Sequence, residues 1–116
     1  DAGRAEVVLK RFVSDTTDWR RMLKGVAPPV DLCEFRKMLF EQSGDAVPGQ
    51  RLPDATVHEI NYPVTKYPTT IRAHNLDKTP VLEGTLTGIK GQYLIVGDVV
   101  VNVRKYSGYL MKVSSE

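Results

Sequence analysis

The chain has 116 residues, 41% hydrophobic and 26% charged, close to the globular averages of about 45–50% and 25%. That composition excludes a disordered tail, a collagen-like repeat and a coiled coil. The net charge is only +2, and the single cysteine, Cys33, excludes an internal disulfide framework and a cysteine-only zinc site within this chain.

The first predicted element is a helix. Ala2, Ala5, Val8, Leu9 and Phe12 recur at helical spacing. Only Asp1 is available to cap it, so the chain reads as a fragment of something longer. Ser14-Asp15-Thr16-Thr17 interrupts the pattern with residues that favour caps over helix interiors. A second helix is predicted from about residue 17 to 24, with Trp19, Met22 and Leu23 inward and Trp19 packed between the helical layer and a sheet. Gly25 stands where a left-handed cap belongs, and Pro28-Pro29 forbid continuation. Asp31 and Glu34 have capping-box spacing, with Asp in the cap position. The helix behind them, 32–42, sets Leu32, Phe35, Met38 and Leu39 on one stripe, with Cys33 beside it as a small packing residue. Residues 45–55 have the composition of a linker loop.

Past residue 55 the period changes from 3.6 to 2. Residues 56–62 read as a strand, and Pro63 and Pro68 confine the next stretch to an edge or an extended connection. VLEGTLTGI, QYLIVG, DVVVNVR and GYLMKV then read as a four-stranded antiparallel meander over residues 81–113. Gly97-Asp98 supplies its tightest turn, so no helix is expected within 92–104. Gly84, Gly88 and Gly91 allow that sheet to bend hard. The fold class is therefore α+β: N-terminal helices (1–44), a linker (45–55), and a β domain (56–116) curled into a small barrel or a half barrel closed by residues 56–72.

Catalytic templates mostly fail. There is no Walker loop, dinucleotide fingerprint or nucleophile elbow. His58 and His74 lie sixteen positions apart with no ligand-spaced partners, so no metal or other cofactor is expected in this chain. No apolar run approaches the ~20 residues of a membrane span and no signal peptide is visible, so a cytoplasmic protein without membrane contact is expected. Charge is uneven: residues 1–50 balance eight Lys/Arg with eight Asp/Glu, whereas residues 51–116 carry eight against six. Residues 10–24 and 84–113 are locally basic. In the second stretch Lys90, Tyr93, Arg104, Lys105, Tyr106 and Tyr109 combine phosphate-binding cations with rings able to stack on bases, as small barrels that hold single strands do. Alternation over Val101-Asn102-Val103-Arg104 places the valines on one face and Asn102 with Arg104 on the other. The competing reading of these residues is an ordinary core beneath a solvated face.

Residues 75–109, NLDKTPVLEGTLTGIKGQYLIVGDVVVNVRKYSGY, with AEVVLKRFVSDTTDWRRMLKG (5–25) and NYPVTKYPTTIRAHNLDKTP (61–80), resemble the uncharacterised bacterial family called domain of unknown function 2797. The resemblance implies longer members, with an upstream cysteine-rich, zinc-binding segment and a strand pair similar to GIY-YIG nucleases. Under that likeness Glu6 takes the place of the nuclease's metal-binding glutamate. Its other reading is a solvent-facing helix glutamate near the N-terminal dipole. A lone carboxylate cannot hold Mg²⁺, so the chain alone is expected to be inactive. The expected function is a non-enzymatic nucleic-acid-binding portion of a larger zinc-containing bacterial protein, with the choice between DNA and RNA open. The alternatives are a protein-interaction or structural module and an incomplete GIY-YIG-like nuclease fragment.

Overall fold

Apolar side chains of the segment after Asp18 and of the strands beyond residue 85 meet in one cluster, and the chain divides around it. A computed structural model describes residues 1–116 as two compact units: 1–18 with 27–60, and 19–26 with 61–116. The architecture is α+β, with three α-helices and a four-stranded mixed sheet. No helix is long and apolar enough to cross a membrane.

The first unit is helical. Helix α1 (Ala2–Leu9) starts at Asp1, whose carboxylate accepts from Gly3 N at 2.9 Å. It is shorter than its apolar stripe: past Leu9 the chain tightens into i→i−3 bonds, Arg11 N to Val8 O and Phe12 N to Leu9 O. Helix α3 (Leu32–Ser43) is capped by Asp31, which accepts from Glu34 N at 3.0 Å, and stops at Gly44, whose φ of 53° is left-handed. A single 3₁₀ turn, Gly44–Ala46, opens the predicted linker loop. The stripe of α3 is less covered than its periodicity predicts: Leu32, Phe35 and Met38 are exposed. So is Cys33, whose thiol donates to Ala55 O instead of packing in a core. Two short helices cannot cover each other's faces completely.

The second unit holds the core. Helix α2 (Trp19–Leu23) turns Leu23 inward against Tyr93, Ile95 and Val100, with Trp19, Met22, Val64 and Ile71 around them. Strands β2 (Leu86–Lys90), β3 (Tyr93–Val96) and β4 (Val99–Asn102) form an antiparallel meander. The two-residue loop Gly97-Asp98 joins the Val96–Val99 pair, with Gly97 at φ 63°, as its position in the turn requires.

The fourth place in the sheet differs from the expected GYLMKV strand. It belongs to β1 (Arg72–Ala73), which pairs parallel with β4, so the order is β1-β4-β3-β2 and the sheet is mixed. The cause lies at the end of β4. Residues Val103–Tyr106 wind into a 3₁₀ turn, and Val103 N–H leaves for Gln92 O. That turn ends the predicted alternation at Asn102 and carries Tyr109–Val113 away as irregular chain. The helix-free window predicted for 92–104 therefore fails at its last two residues. Residues 56–62 also lack a strand; Asp54 instead folds Thr56 into a local turn.

One connection nevertheless touches both edges of the sheet. At its start Val64 bridges Gly88, Ile89 N donates to Pro63 O at 3.0 Å and Thr65 N to Thr87 O at 2.8 Å. At its end Arg72 N donates to Asp98 O and His74 N to Val100 O, both at 2.9 Å. The sheet is curled but not closed. Gly88 permits the approach, since a Cβ there would lie 2.8 Å from Val64 Cγ2 and 3.1 Å from Val64 Cα. It also follows the irregularity between Leu86 and Gly88 that bends β2.

Candidate nucleic-acid interface

The six residues predicted to form a binding surface separate into two groups. Lys90, at the end of β2, is only 6% exposed. Its ammonium donates to Gly25 O at 2.9 Å and to the Tyr67 hydroxyl at 3.4 Å, and lies 5.2 and 5.0 Å from the Tyr62 and Tyr67 ring centres. Gly25 lies two residues past the end of α2, and its carbonyl accepts the buried ammonium. Tyr93, 8% exposed, stacks on Trp19 at 5.5 Å with an 8° interplanar angle. Tyr106, 3% exposed, accepts from Leu76 N at 2.9 Å and donates to His74 O at 3.3 Å. These three cannot meet a phosphate or a base in this conformation. They tie α2 and residues 74–76 to the sheet.

Arg104, Lys105 and Tyr109 are exposed. Lys105 stands 5.4 Å from the Tyr106 ring centre. Tyr109, 57% exposed, meets Tyr106 edge-on at 5.4 Å and donates its hydroxyl to Asp77 at 2.8 Å. The carboxylate holds the phenol's pKa above its usual value, since ionisation would break that bond and oppose two negative charges. Asp77 is itself fixed by a turn in which its N–H donates to the Asn75 side chain at 2.9 Å. The exposed ring is therefore oriented from two sides.

Sequence reading missed the contribution of α2. Arg20 lies 4.3 Å over the Trp19 ring and donates to Ile71 O at 3.2 Å, immediately before Arg72 of β1. Because α2 packs with the strands, Arg20, Arg21 and Lys24 join the sheet unit. That unit holds ten Lys/Arg against four Asp/Glu, whereas the helical unit holds six against ten. Dividing the sequence at residue 50 conceals this segregation. The cluster at 10–24, already basic, was the available signal; the fold splits it, leaving Lys10 between Glu6 at 3.4 Å and Asp15 at 3.0 Å.

Glu6 is exposed and engaged with Lys10, and no three His, Cys, Asp or Glu side chains converge as a metal site would require. The family model described as "Protein of unknown function (DUF2797)" matches residues 1–111 of the chain. No curated protein and no solved structure matches it.

Proposed function

The chain belongs to the DUF2797 family of proteins of unknown function, and we propose that its sheet unit is a non-enzymatic nucleic-acid-binding module. The observation that carries this reading is the excess of six positive charges on that unit. Such an excess attracts a polyanion, and each phosphate neutralised releases condensed counterions. Neighbouring elements supply the contacts. Arg72 lies on β1, which pairs with β4, from whose end Arg104 and Lys105 continue, and Lys78 lies in the turn that follows β1. Tyr109, hydrogen-bonded to Asp77, is the exposed ring available for stacking. Lys90, Tyr93 and Tyr106 support this surface from within.

Fluorescence anisotropy with a short single strand and a short duplex at several salt concentrations tests the proposal. Changing Arg104 and Lys105 together to alanine should lower the slope of log affinity against log salt by about 1.4–1.8. Tyr109→Ala should weaken binding by about 1–3 kcal/mol and leave that slope nearly unchanged. Absence of binding to either ligand at about 50 mM salt, where phosphate contacts are strong, or a double variant equal to the parent, overturns it.

A further inference from the structure

Two planar groups are exposed along one edge of the sheet, and a short piece of chain links them. Strand β1 is the outermost strand and pairs on one side only. Just before it, Ile71 O accepts from the exposed Arg20 at 3.2 Å, and that guanidinium lies 4.3 Å over the Trp19 ring. Trp19 stacks in turn on Tyr93. Past β1, in the turn that follows His74, Asp77 accepts the hydroxyl of Tyr109, a ring more than half exposed. Arg20 and Tyr109 are therefore anchored at the two ends of segment 71–77. At roughly 3.3–3.6 Å per residue, those ends lie within about 22 Å of each other.

Cations flank both groups. Arg72 follows Ile71 and Lys78 follows Asp77, both exposed, and the Tyr106 hydroxyl, bonded to Leu76 N and His74 O, brings Arg104 and Lys105 to the same segment. Three carboxylates border it: Asp18 before α2, Asp77, which holds the Tyr109 phenol, and Asp98, whose carbonyl accepts from Arg72 N. Arg20, Arg72, Lys78, Arg104 and Lys105 outnumber them. Phosphates attract cations in any nucleic acid, but a flat exposed group needs an open base face. In a duplex each base face is covered by its neighbours, whereas in a single strand it can lie on an aromatic ring or a guanidinium plane. The unit also lacks an element to enter a major groove. Helix α2 has five residues and buries Leu23 in the core, and the β3–β4 hairpin lies inside the sheet between β1 and β2. Taking the sheet unit as a nucleic-acid binder, we infer that its β1 edge holds a single strand, with one base stacked on Arg20 and another on Tyr109. Arg72 and Lys78 meet the phosphates between them. At about 3.4 Å per stacked nucleotide the span accommodates at most about six nucleotides.

The test uses the full 116-residue chain and three fluorescein-labelled probes of about 12 nucleotides at about 50 mM salt. They are oligothymidylate, an abasic strand carrying the same phosphates, and a duplex of equal length. A stacked base contributes about 5- to 150-fold in affinity, so oligothymidylate should bind at least about tenfold tighter than either of the others. This comparison needs no variant. Arg20→Lys keeps the charge and loses the plane; it should weaken oligothymidylate at least about fivefold and leave the abasic strand nearly unchanged. Tyr109→Ala should act likewise. Both changes fall on exposed side chains, and the urea midpoint checks that each variant folds. Equal binding of the thymidylate and abasic strands, a duplex bound as tightly, or an Arg20→Lys variant equal to the parent overturns the inference and leaves nucleic-acid binding standing. Absence of binding to all three probes removes both.

Discussion

Replacing Gly88 by alanine tests whether the connection from Pro63 to His74 truly clasps the sheet. The new Cβ would lie 2.8 and 2.9 Å from the two Val64 methyls and 3.1 Å from Val64 Cα. Comfortable carbon separations are about 3.5–4.0 Å, so Val64 or β2 must retreat. Overpacking of this kind costs typically 1–3 kcal/mol. Because Gly88 does not have a positive φ, alanine recovers about 0.5–1 kcal/mol of chain entropy. The net expectation is a loss of about 1–2 kcal/mol. Val64→Ala removes the two crowding methyls from a half-buried site and should by itself cost about 1 kcal/mol. In the double variant the methyl clashes vanish, although the new side chain still crowds the backbone of residue 64. The total should therefore be about 1 kcal/mol less than the sum. Urea unfolding followed by Trp19 emission measures this directly, because that ring stacks on Tyr93 in the same unit. With a urea slope near 1 kcal/mol/M for so small a unit, Gly88→Ala should shift the midpoint by about 1–2 M. A neutral Gly88→Ala, or strictly additive single effects, would refute the close approach of residue 64.

Trp19→Ala should cost about 3 kcal/mol in the same assay, at the low end for large aromatic truncations since the ring is only partly buried; a change below about 1 kcal/mol would place Trp19 outside the core. Gly97→Val should cost about 1–3 kcal/mol, because a β-branched residue strains at φ 63°, whereas unchanged stability would contradict the turn. Tyr109 should ionise above the ordinary phenol value in an absorbance titration, and Asp77→Asn should bring it back down. Its folded pKa is raised, so the stability it contributes is complete below the ordinary phenol range near 10. That stability is lost as pH rises through the shifted value.

The elements of strongest pattern were legible in the chain itself. Asp31 and Gly44 bound α3 because capping chemistry is local, and Gly97-Asp98 marks its hairpin for the same reason. Long-range pairing was not legible. Nothing local to Arg72-Ala73 says that two residues will lie parallel to β4, and nothing in GYLMKV says that a 3₁₀ turn will divert it. The site shows the same division. Side-chain chemistry singled out Lys90, Tyr93 and Tyr106 within a basic stretch, but their exposure depended on partners far along the chain, Gly25, Trp19 and Leu76. Charge segregation was hidden because α2 leaves the helical unit for the sheet.

That departure shapes how the molecule folds. Residues 27–60 interrupt the sheet unit in sequence, so Trp19 finds Tyr93 only after 74 positions of chain. Closing such a loop costs about 4 kcal/mol of entropy, and doubling it adds only about 0.6. The local hairpins of residues 86–102 can form before that cost is met, whereas α2 and the clasp must wait for them. During synthesis the order is reversed: Trp19, Leu23, Val64 and Ile71 leave the ribosome well ahead of the strands that bury them. Nascent chains halted before β4 would therefore lack Val100, half of the β3–β4 ladder and the partner of β1. They would hold exposed apolar side chains of the sort that chaperones recognise.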